Sequence, residues 1–196
     1  AKDDKNQALN VGMRADASAG YKTEYGKEWA VTHNATVINE SSGKINLKGS
    51  YAIGMLANGA KLVNRGKIAT VDSITNGVGL AGLNSTDVQN SGSIKVTGSG
   101  RTNNIGVYLK NSIGKIATGK SVTQEIEASG DNSTGVLTTN STLTMAGTVK
   151  VTGNGVTGIV ANSGSKITSN SGTVTVGENS VGIFGKEILH KGIVTV

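Results

Sequence analysis

The sequence predicts an all-β fold, a parallel β-helix of about seven coils wound from short strands. Three observations carry this prediction: a glycine-centred strand motif recurs at nearly constant spacing, a second strand motif with alternating apolar and polar residues precedes it, and turn residues recur between the two. Self-similarity at a fixed period of about 20 to 50 residues is typical of solenoids, in which each repeat stacks on the next.

The glycine-centred motif places one glycine between two residues that are mostly apolar. Its seven copies are Val11-Gly12-Met13, Ile53-Gly54-Met55, Val78-Gly79-Leu80, Ile105-Gly106-Val107, Thr134-Gly135-Val136, Thr157-Gly158-Ile159 and Val181-Gly182-Ile183. After Gly54 the intervals between the glycines are 25, 27, 29, 23 and 24 residues. Glycine at this frequency, together with Val, Thr and Asn, disfavours helices and suits strands and turns. The column of glycines indicates close backbone packing or a bend, with a groove on that face as the alternative.

The second motif alternates apolar and polar residues, so that one side of each strand is aliphatic and the other carries Lys, Thr or Ser. Examples are Gly43–Leu47, Gly92–Val96, Gly147–Val151 and Gly172–Val176. A third short strand, such as Lys61–Asn64 or Asp87–Asn90, closes each coil. Because the coils are shorter than a strand–helix–strand unit of about 30 residues, each is predicted to contain three strands and three turns.

The composition fits a narrow aliphatic interior. The chain has 196 residues with 29 Gly, no Pro, no Cys and 3% aromatic residues. Without cysteine there is neither a disulfide framework nor a thiolate metal site. The net charge is +6, but the Lys and Arg residues are scattered singly, so no nucleic-acid partner is expected. Residues 1–196 are interpreted as a single β-helix segment, a fragment of a longer protein.

Residues 15–34 interrupt the repeat, because 42 residues separate Gly12 from Gly54. Tyr21, Tyr25 and Trp29 are spaced by four, which would place them on one face of a short helix or loop emerging from the rod. Aromatic side chains dominate the energetics of binding surfaces, so these three are the candidate ligand-binding residues. The alternative is that the rings pack back onto the rod as a cover.

The sequence offers no catalytic residues, metal ligands or cofactor-binding motif. The close acidic pairs are Asp3-Asp4 at the terminus and Glu125 with Glu127, which share the outer side of one strand without acidic neighbours in other coils. The two histidines are interpreted as a loop residue, His33, and a turn or outward-facing residue, His190. We therefore expect a protein that is not an enzyme.

The pattern Asn-x-Gly-x-Ile-x-Val, as in Asn90–Val96, then a Gly-x-Gly/Asn turn and an Ile/Val-Gly-Ile/Val strand, resembles the passenger regions of fusobacterial type V autotransporter adhesins, the RadD-like large outer-membrane proteins. The resemblance covers nearly the whole chain except residues 15–34. It implies a right-handed β-helix that is exported through a C-terminal membrane barrel outside this chain. It also implies display at the outer membrane of a Gram-negative bacterium.

The expected function is that of an extracellular adhesin segment, monomeric and non-enzymatic, that mediates cell–cell or host attachment. Its partner would be a surface protein or glycan of another bacterium or of a host cell. Two alternatives stay open at this point: a polysaccharide-binding or polysaccharide-degrading β-helix, and a structural spacer within a passenger domain.

Overall fold

The computed structural model describes residues 10–17, 19–24, 27–32, 35–116 and 125–196. These residues form an all-β parallel solenoid of about six turns, and none of them lies in a helix. Each turn of the chain contributes one strand to each of three faces. The parallel β-helix predicted from the repeats is confirmed.

The first face carries the seven glycine-centred strands. They are β1 (Asn10–Asp16), β6 (Ala52–Asn58), β9 (Val78–Leu83), β12 (Ile105–Lys110), β15 (Thr134–Thr139), and the first parts of β18 (Thr157–Ser169) and β20 (Val181–His190). Each strand pairs in parallel with its counterpart in the next turn. The predicted glycine motifs are therefore successive rungs of one sheet.

The other two faces complete each coil. The second face contains β4 (Thr36–Asn39), β7 (Lys61–Asn64), β10 (Val88–Asn90), β13 (Ile113–Ile116), β16 (Thr142–Met145) and the later parts of β18 and β20. The third face contains β5 (Lys44–Leu47), β8 (Lys67–Thr70), β11 (Ser93–Val96), β14 (Glu125–Ser129), β17 (Thr148–Thr152), β19 (Thr173–Val176) and β21 (Ile193–Thr195). Strands β18 and β20 run through the corner between the first and second faces and join them into one sheet.

Of the helix and the loop predicted for residues 15–34, the helix is wrong for the described residues. Strands β2 (Ala19–Glu24) and β3 (Lys27–Thr32) pair antiparallel as a two-stranded hairpin between β1 and β4. Its register pairs Tyr21 with Ala30 and Lys22 with Trp29. A spacing of four residues has no helical meaning here, because β2 ends and β3 begins within the spaced set.

Like residues stack on like in the interior, as the alternating motif predicts. The third face contributes one such column of β-branched side chains, with at most 8% of each exposed: Ile45, Ile68, Ile94, Ile126, Val149 and Val174. Each side chain is shielded from water by the coils above and below it. No single coil could bury its own apolar side in this way.

The glycines of the first face lie where no side chain fits. A Cβ at Gly106 would approach the carbonyl oxygen of Gly135 to 2.6 Å, and one at Gly135 would approach that of Gly158 to 2.6 Å. The same Cβ atoms would overlap Ile126 and Val149 of the interior. The column reflects close backbone packing, and these positions face inward.

Buried asparagines form a ladder inside the second face. The Nδ2 of Asn39 donates to the Oδ1 of Asn64 at 2.8 Å, and the Nδ2 of Asn64 donates to the Oδ1 of Asn90 at 2.6 Å. Further along the same column the register places Ile116, Met145, Ser169 and His190. His190 thus follows the interior column, and its interpretation as a turn or outward-facing residue is wrong.

Candidate binding surface

The outer side of the first face carries an apolar stripe that runs along the rod. In each coil the residue directly after the glycine points inward, and the next residue points outward. The register stacks these outward residues, and we call the following six the apolar stripe: Leu56, Ala81, Tyr108, Leu137, Val160 and Phe184. The first coil has Arg14 at this position, paired with Leu56. An outward apolar side chain in the six following coils is unusual, because the exposed side of a solenoid strand is ordinarily polar.

Exposure along the apolar stripe increases from one end to the other. Leu56 and Ala81 are only 7% and 3% exposed. Tyr108, Leu137 and Val160 are half-buried, and Phe184 is 61% exposed. The accessible part of the stripe therefore begins at Tyr108.

A second outward column borders the stripe on the same face. It is formed by the residues that precede the glycines, all partly exposed: Ile53, Val78, Ile105, Thr134, Thr157 and Val181. With Tyr108 and Leu137, the nearby Ile105 gives this part of the face a continuous apolar surface. A partner lying along this face would therefore meet partly exposed apolar side chains from several coils.

Exposed asparagine ladders frame the first face at the corner where its strands end. The Nδ2 of Asn84 donates to the Oδ1 of Asn58 at 3.1 Å, Asn111 donates to Asn84 at 3.0 Å, and Asn140 donates to Asn111 at 2.9 Å. Asn84, Asn111 and Asn140 have φ values of 51°, 50° and 47°. Asparagine adopts this left-handed conformation more readily than most residues.

The opposite corner, where the first-face strands begin, repeats the same conformation. Asn76, Asn103 and Asn132 have φ values of 53°, 48° and 60°. The Nδ2 of Asn103 donates to the Oδ1 of Asn76 at 3.3 Å. The apolar surface thus lies between two rows of amide groups, which can donate and accept hydrogen bonds at its edges.

The other two faces carry ion pairs between successive coils, and the second face also exposes Ile38, Ile113 and Leu189. On the second face, Lys61 Nζ lies 2.7 Å from Asp87 Oδ2. Burial by itself would raise the pKa of Asp87, but hydrogen bonds from Lys61 and Gln89 and the nearby positive charges lower it below its ordinary value. Both partners are substantially exposed, so the pair stabilises the fold only slightly.

The predicted carboxylate pair lies on the outer side of the third face. Lys95 Nζ lies 2.9 Å from Glu127 Oε2, and this hydrogen bond raises the pKa of Lys95. Glu125 and Glu127 pair with Thr148 and Lys150 in the next coil, so no ladder of acids forms beside them. Glu127 is occupied by a structural ion pair in this arrangement.

The predicted binding residues belong to the hairpin. Tyr21 lies in β2 and Trp29 in β3, on adjacent rungs, while Tyr25 and His33 lie outside the described residues. Tyr21 pairs with Ala30, and Trp29 pairs with Lys22, so the two aromatic residues are neighbours along the hairpin but are not cross-strand partners. The hairpin remains a second candidate contact surface beside the apolar stripe.

An open cleft of about 740 Å³ lies where the first face meets the second, at the exposed end of the apolar stripe. Its lining comes from the bulge in β18 and the facing part of β20: Ala161–Ser165 and Phe184–Glu187. Lys166 Nζ and Glu187 Oε1, 2.6 Å apart, form an exposed ion pair at this corner. The cleft extends the candidate surface with polar backbone and hydroxyl groups.

A metal-binding cluster and a membrane-spanning helix are both absent from the described ranges. No three His, Asp or Glu residues there lie close enough together to hold a metal ion. Over the same ranges the structure has no helix able to cross a membrane.

The sequence motifs did not indicate the apolar stripe, although a signal for it exists. Strict alternation would put a polar residue after each inward side chain, yet two apolar residues follow the glycine in most copies. The doublets are Met55-Leu56, Leu80-Ala81, Val107-Tyr108, Val136-Leu137, Ile159-Val160 and Ile183-Phe184. The second member of each doublet is the outward one.

Comparison with known proteins places this fold in a family. The model of the BigA third pectate lyase-like domain matches residues 3–120, a range that contains β1 to β13. No curated protein and no solved structure matches the chain. "Pectate lyase-like" describes the solenoid fold, and the family consists of bacterial surface-protein domains. Because the match covers more than half of the chain and the structure is a parallel β-solenoid, the chain belongs to the BigA third pectate lyase-like domain family.

Proposed function

We propose that this chain is a non-enzymatic segment of a bacterial cell-surface adhesin, similar to the passengers of fusobacterial type V autotransporters, that attaches the cell to another bacterium or to a host cell. The apolar stripe is the observation that carries this proposal. Large contiguous apolar patches are rare on soluble monomeric proteins and commonly mark interaction sites. A surface-protein domain with an apolar row along its length is suited to holding a partner.

The mechanism rests on stiffness and on repeated contacts. Parallel hydrogen bonding links every coil to the next, so the stripe is held straight and its residues recur at about 4.8 Å. A partner lying along the rod would contact Tyr108, Leu137 and Val160 together. Tyr108 is the expected anchor, because tyrosine is among the residues most enriched at binding hot spots.

The asparagine rows that border the apolar stripe favour a glycan partner. Sugar-binding surfaces combine an aromatic or apolar platform with amide and hydroxyl groups, and here the amide rows border Tyr108 and the stripe. A surface protein would use the same apolar row with fewer polar contacts. The two partner classes therefore predict different dependence on the corner asparagines.

Three assays on the purified chain separate the candidate functions: binding to bacterial and host cells, binding to a glycan panel, and turnover of acidic polysaccharides. Binding without turnover supports the adhesin proposal. Turnover would overturn it in favour of a polysaccharide-degrading protein, and neither binding nor turnover would indicate a structural spacer.

The double variant Tyr108→Ser, Leu137→Ser is expected to weaken binding at least about tenfold. Each substitution removes an anchor on the accessible part of the stripe, where losses above about 1 kcal/mol per hot-spot residue are usual. Folding should be retained, because both side chains point away from the interior. The measurement is the dissociation constant for the bound cell or glycan, alongside the thermal midpoint.

A matched control replaces two outward threonines of the second face, Thr144→Ser and Thr168→Ser, which are also partly exposed. Binding should be unchanged in this control. If the stripe variant binds as well as the parent chain, the stripe is not the contact surface.

The hairpin variant Tyr25→Ala, Trp29→Ala tests the second candidate surface. If the hairpin contributes to attachment, binding should fall while the circular dichroism spectrum of the β-solenoid stays unchanged. Loss of binding in this variant alone, with the stripe variant unaffected, would transfer the contact from the first face to the hairpin. Unchanged binding would exclude Tyr25 and Trp29 as contact residues.

A further inference from the structure

Several asparagines begin an Asn-x-Ser/Thr triplet, which is the acceptor motif for N-linked glycosylation. Three of them share the identical tripeptide Asn-Ser-Thr and start at Asn84, Asn132 and Asn140. Asn39 begins the triplet Asn-Glu-Ser, and Asn34, which begins Asn-Ala-Thr, lies outside the described residues. A short motif alone is weak evidence in a chain rich in Asn, Ser and Thr, so the placement of each asparagine decides its meaning.

The three Asn-Ser-Thr asparagines lie at accessible corners of the rod. Asn84, Asn132 and Asn140 are all exposed, and all lie at corners with φ between 47° and 60°. Asn132 precedes strand β15 and Asn140 follows it, so one lies on each border of the first face. Asn39 differs, because it is 4% exposed and its Nδ2 donates to Asn64 inside the rod.

The exposed side-chain amides of these asparagines each have an N–H hydrogen that a sugar can replace. An asparagine Nδ2 carries two hydrogens. Asn84 and Asn140 each donate one to the neighbouring asparagine of the ladder, at 3.1 and 2.9 Å, so a second hydrogen remains on each nitrogen. The backbone N–H of Asn132 donates to the carbonyl oxygen of Asn154 at 3.0 Å, while its side-chain amide makes no hydrogen bond with a described residue. A sugar on these nitrogens is compatible with the ladder.

We propose that Asn84, Asn132 and Asn140 are acceptors for N-linked glycosylation. The donor is a nucleotide-activated sugar presented by a glycosyltransferase. A bond forms between Nδ2 and the anomeric carbon, the bond from that carbon to the phosphate oxygen breaks, and the nucleoside diphosphate leaves with the electron pair. The amide nitrogen gives up one proton to a base of the transferase. This modification goes beyond the attachment function and does not depend on it.

The chain contains its own control for this proposal. Asn111 lies between Asn84 and Asn140 in the same corner column, with the same φ of about 50°, the same exposure and the same ladder contact at 3.0 Å. Its triplet is Asn-Ser-Ile, because Ile113 stands where the others have threonine. If exposure alone determined modification, Asn111 would be modified too.

The test is site-resolved peptide mass spectrometry on the protein isolated from the surface of the bacterium that produces it. We expect a sugar on Asn84, Asn132 and Asn140, and none on Asn111 or Asn39. Sugar on fewer than two of the three, or equal modification of Asn111, would overturn the proposal.

Two variants expressed in the same bacterium sharpen the result. Thr86→Ala should remove the sugar from Asn84 only, and Ile113→Thr should create a new modification at Asn111. Ile113 is 48% exposed and stacks on Thr142, so threonine fits at its position. A sugar retained in Thr86→Ala, or none gained in Ile113→Thr, would contradict the assignment even if attachment to cells is normal.

Discussion

Replacing Gly135 by alanine is expected to lower the free energy of unfolding by about 2 to 3 kcal/mol or more. The added Cβ would lie 2.6 Å from the carbonyl oxygen of Gly158 in the next coil and would overlap Val149 of the interior. A flexible side chain could move aside, but the carbonyl belongs to the hydrogen-bonded backbone of β18. The coil spacing would have to open, and the loss should be visible as a lower urea midpoint.

A second glycine separates this steric effect from the ordinary cost of replacing glycine. Gly100 has a φ of 72° and open space around its Cβ position, so Gly100→Ala should cost only the left-handed strain of about 1 to 2 kcal/mol. Gly135 has no positive φ, so its loss would come from packing alone. If Gly135→Ala proves no more destabilising than Gly100→Ala, the glycine column is not held by close packing between coils.

The repeat made most of this fold predictable. Glycines at intervals of 23 to 29 residues and alternating strands such as Gly147–Val151 indicate both the three-stranded coil and its inward side. Each coil is too weak to stand alone, so a periodic sequence has few alternatives to stacking. The hairpin could not be predicted in this way, because it occurs once and nothing repeats it.

The four-residue spacing of the aromatic residues gave a wrong prediction, because such a spacing is compatible with more than one secondary structure. Residues four apart share a face on a helix and also on an extended strand, so Tyr21, Tyr25 and Trp29 fit both. The structure has neither a helix nor one continuous strand here, because β2 pairs antiparallel with β3, and that pairing depends on contacts between segments. The apolar stripe was not predicted for a different reason. Each of its outward residues directly follows an inward apolar residue, so the sequence alone assigns both to the interior.

Three Asn-Ser dipeptides stack at one corner of the rod, and only the structure shows that they are equivalent. Asn84-Ser85, Asn111-Ser112 and Asn140-Ser141 occupy one stacked corner, where the asparagine adopts positive φ. The following serine is buried, and its hydroxyl accepts from the backbone of the preceding coil, as Ser112 does from Ser85 N at 3.1 Å. In a composition rich in Asn and Ser, these dipeptides do not stand out until the register aligns them.

Replacing Asn64 by alanine is expected to lower the free energy of unfolding by about 3 kcal/mol. Asn64 is fully buried and forms the middle of the ladder, accepting from Asn39 and donating to Asn90. Its loss leaves the Nδ2 of Asn39 and the Oδ1 of Asn90 without these partners in a dry interior, and each unsatisfied buried group costs about 1 to 3 kcal/mol. Urea unfolding measures the difference.

Replacing all three asparagines of the ladder by leucine should restore most of that loss. The same column continues with Ile116 and Met145, both 2% exposed, so aliphatic side chains already fit at this position in later coils. When every partner is replaced, no ladder amide is left unsatisfied, and the remaining cost is the hydrogen bond from Asn90 to the carbonyl of Gly92. The triple variant should therefore be more stable than Asn64→Ala despite its greater number of changes. If the triple variant is instead less stable than Asn64→Ala, the asparagine ladder stabilises the rod more than an apolar column at the same positions would.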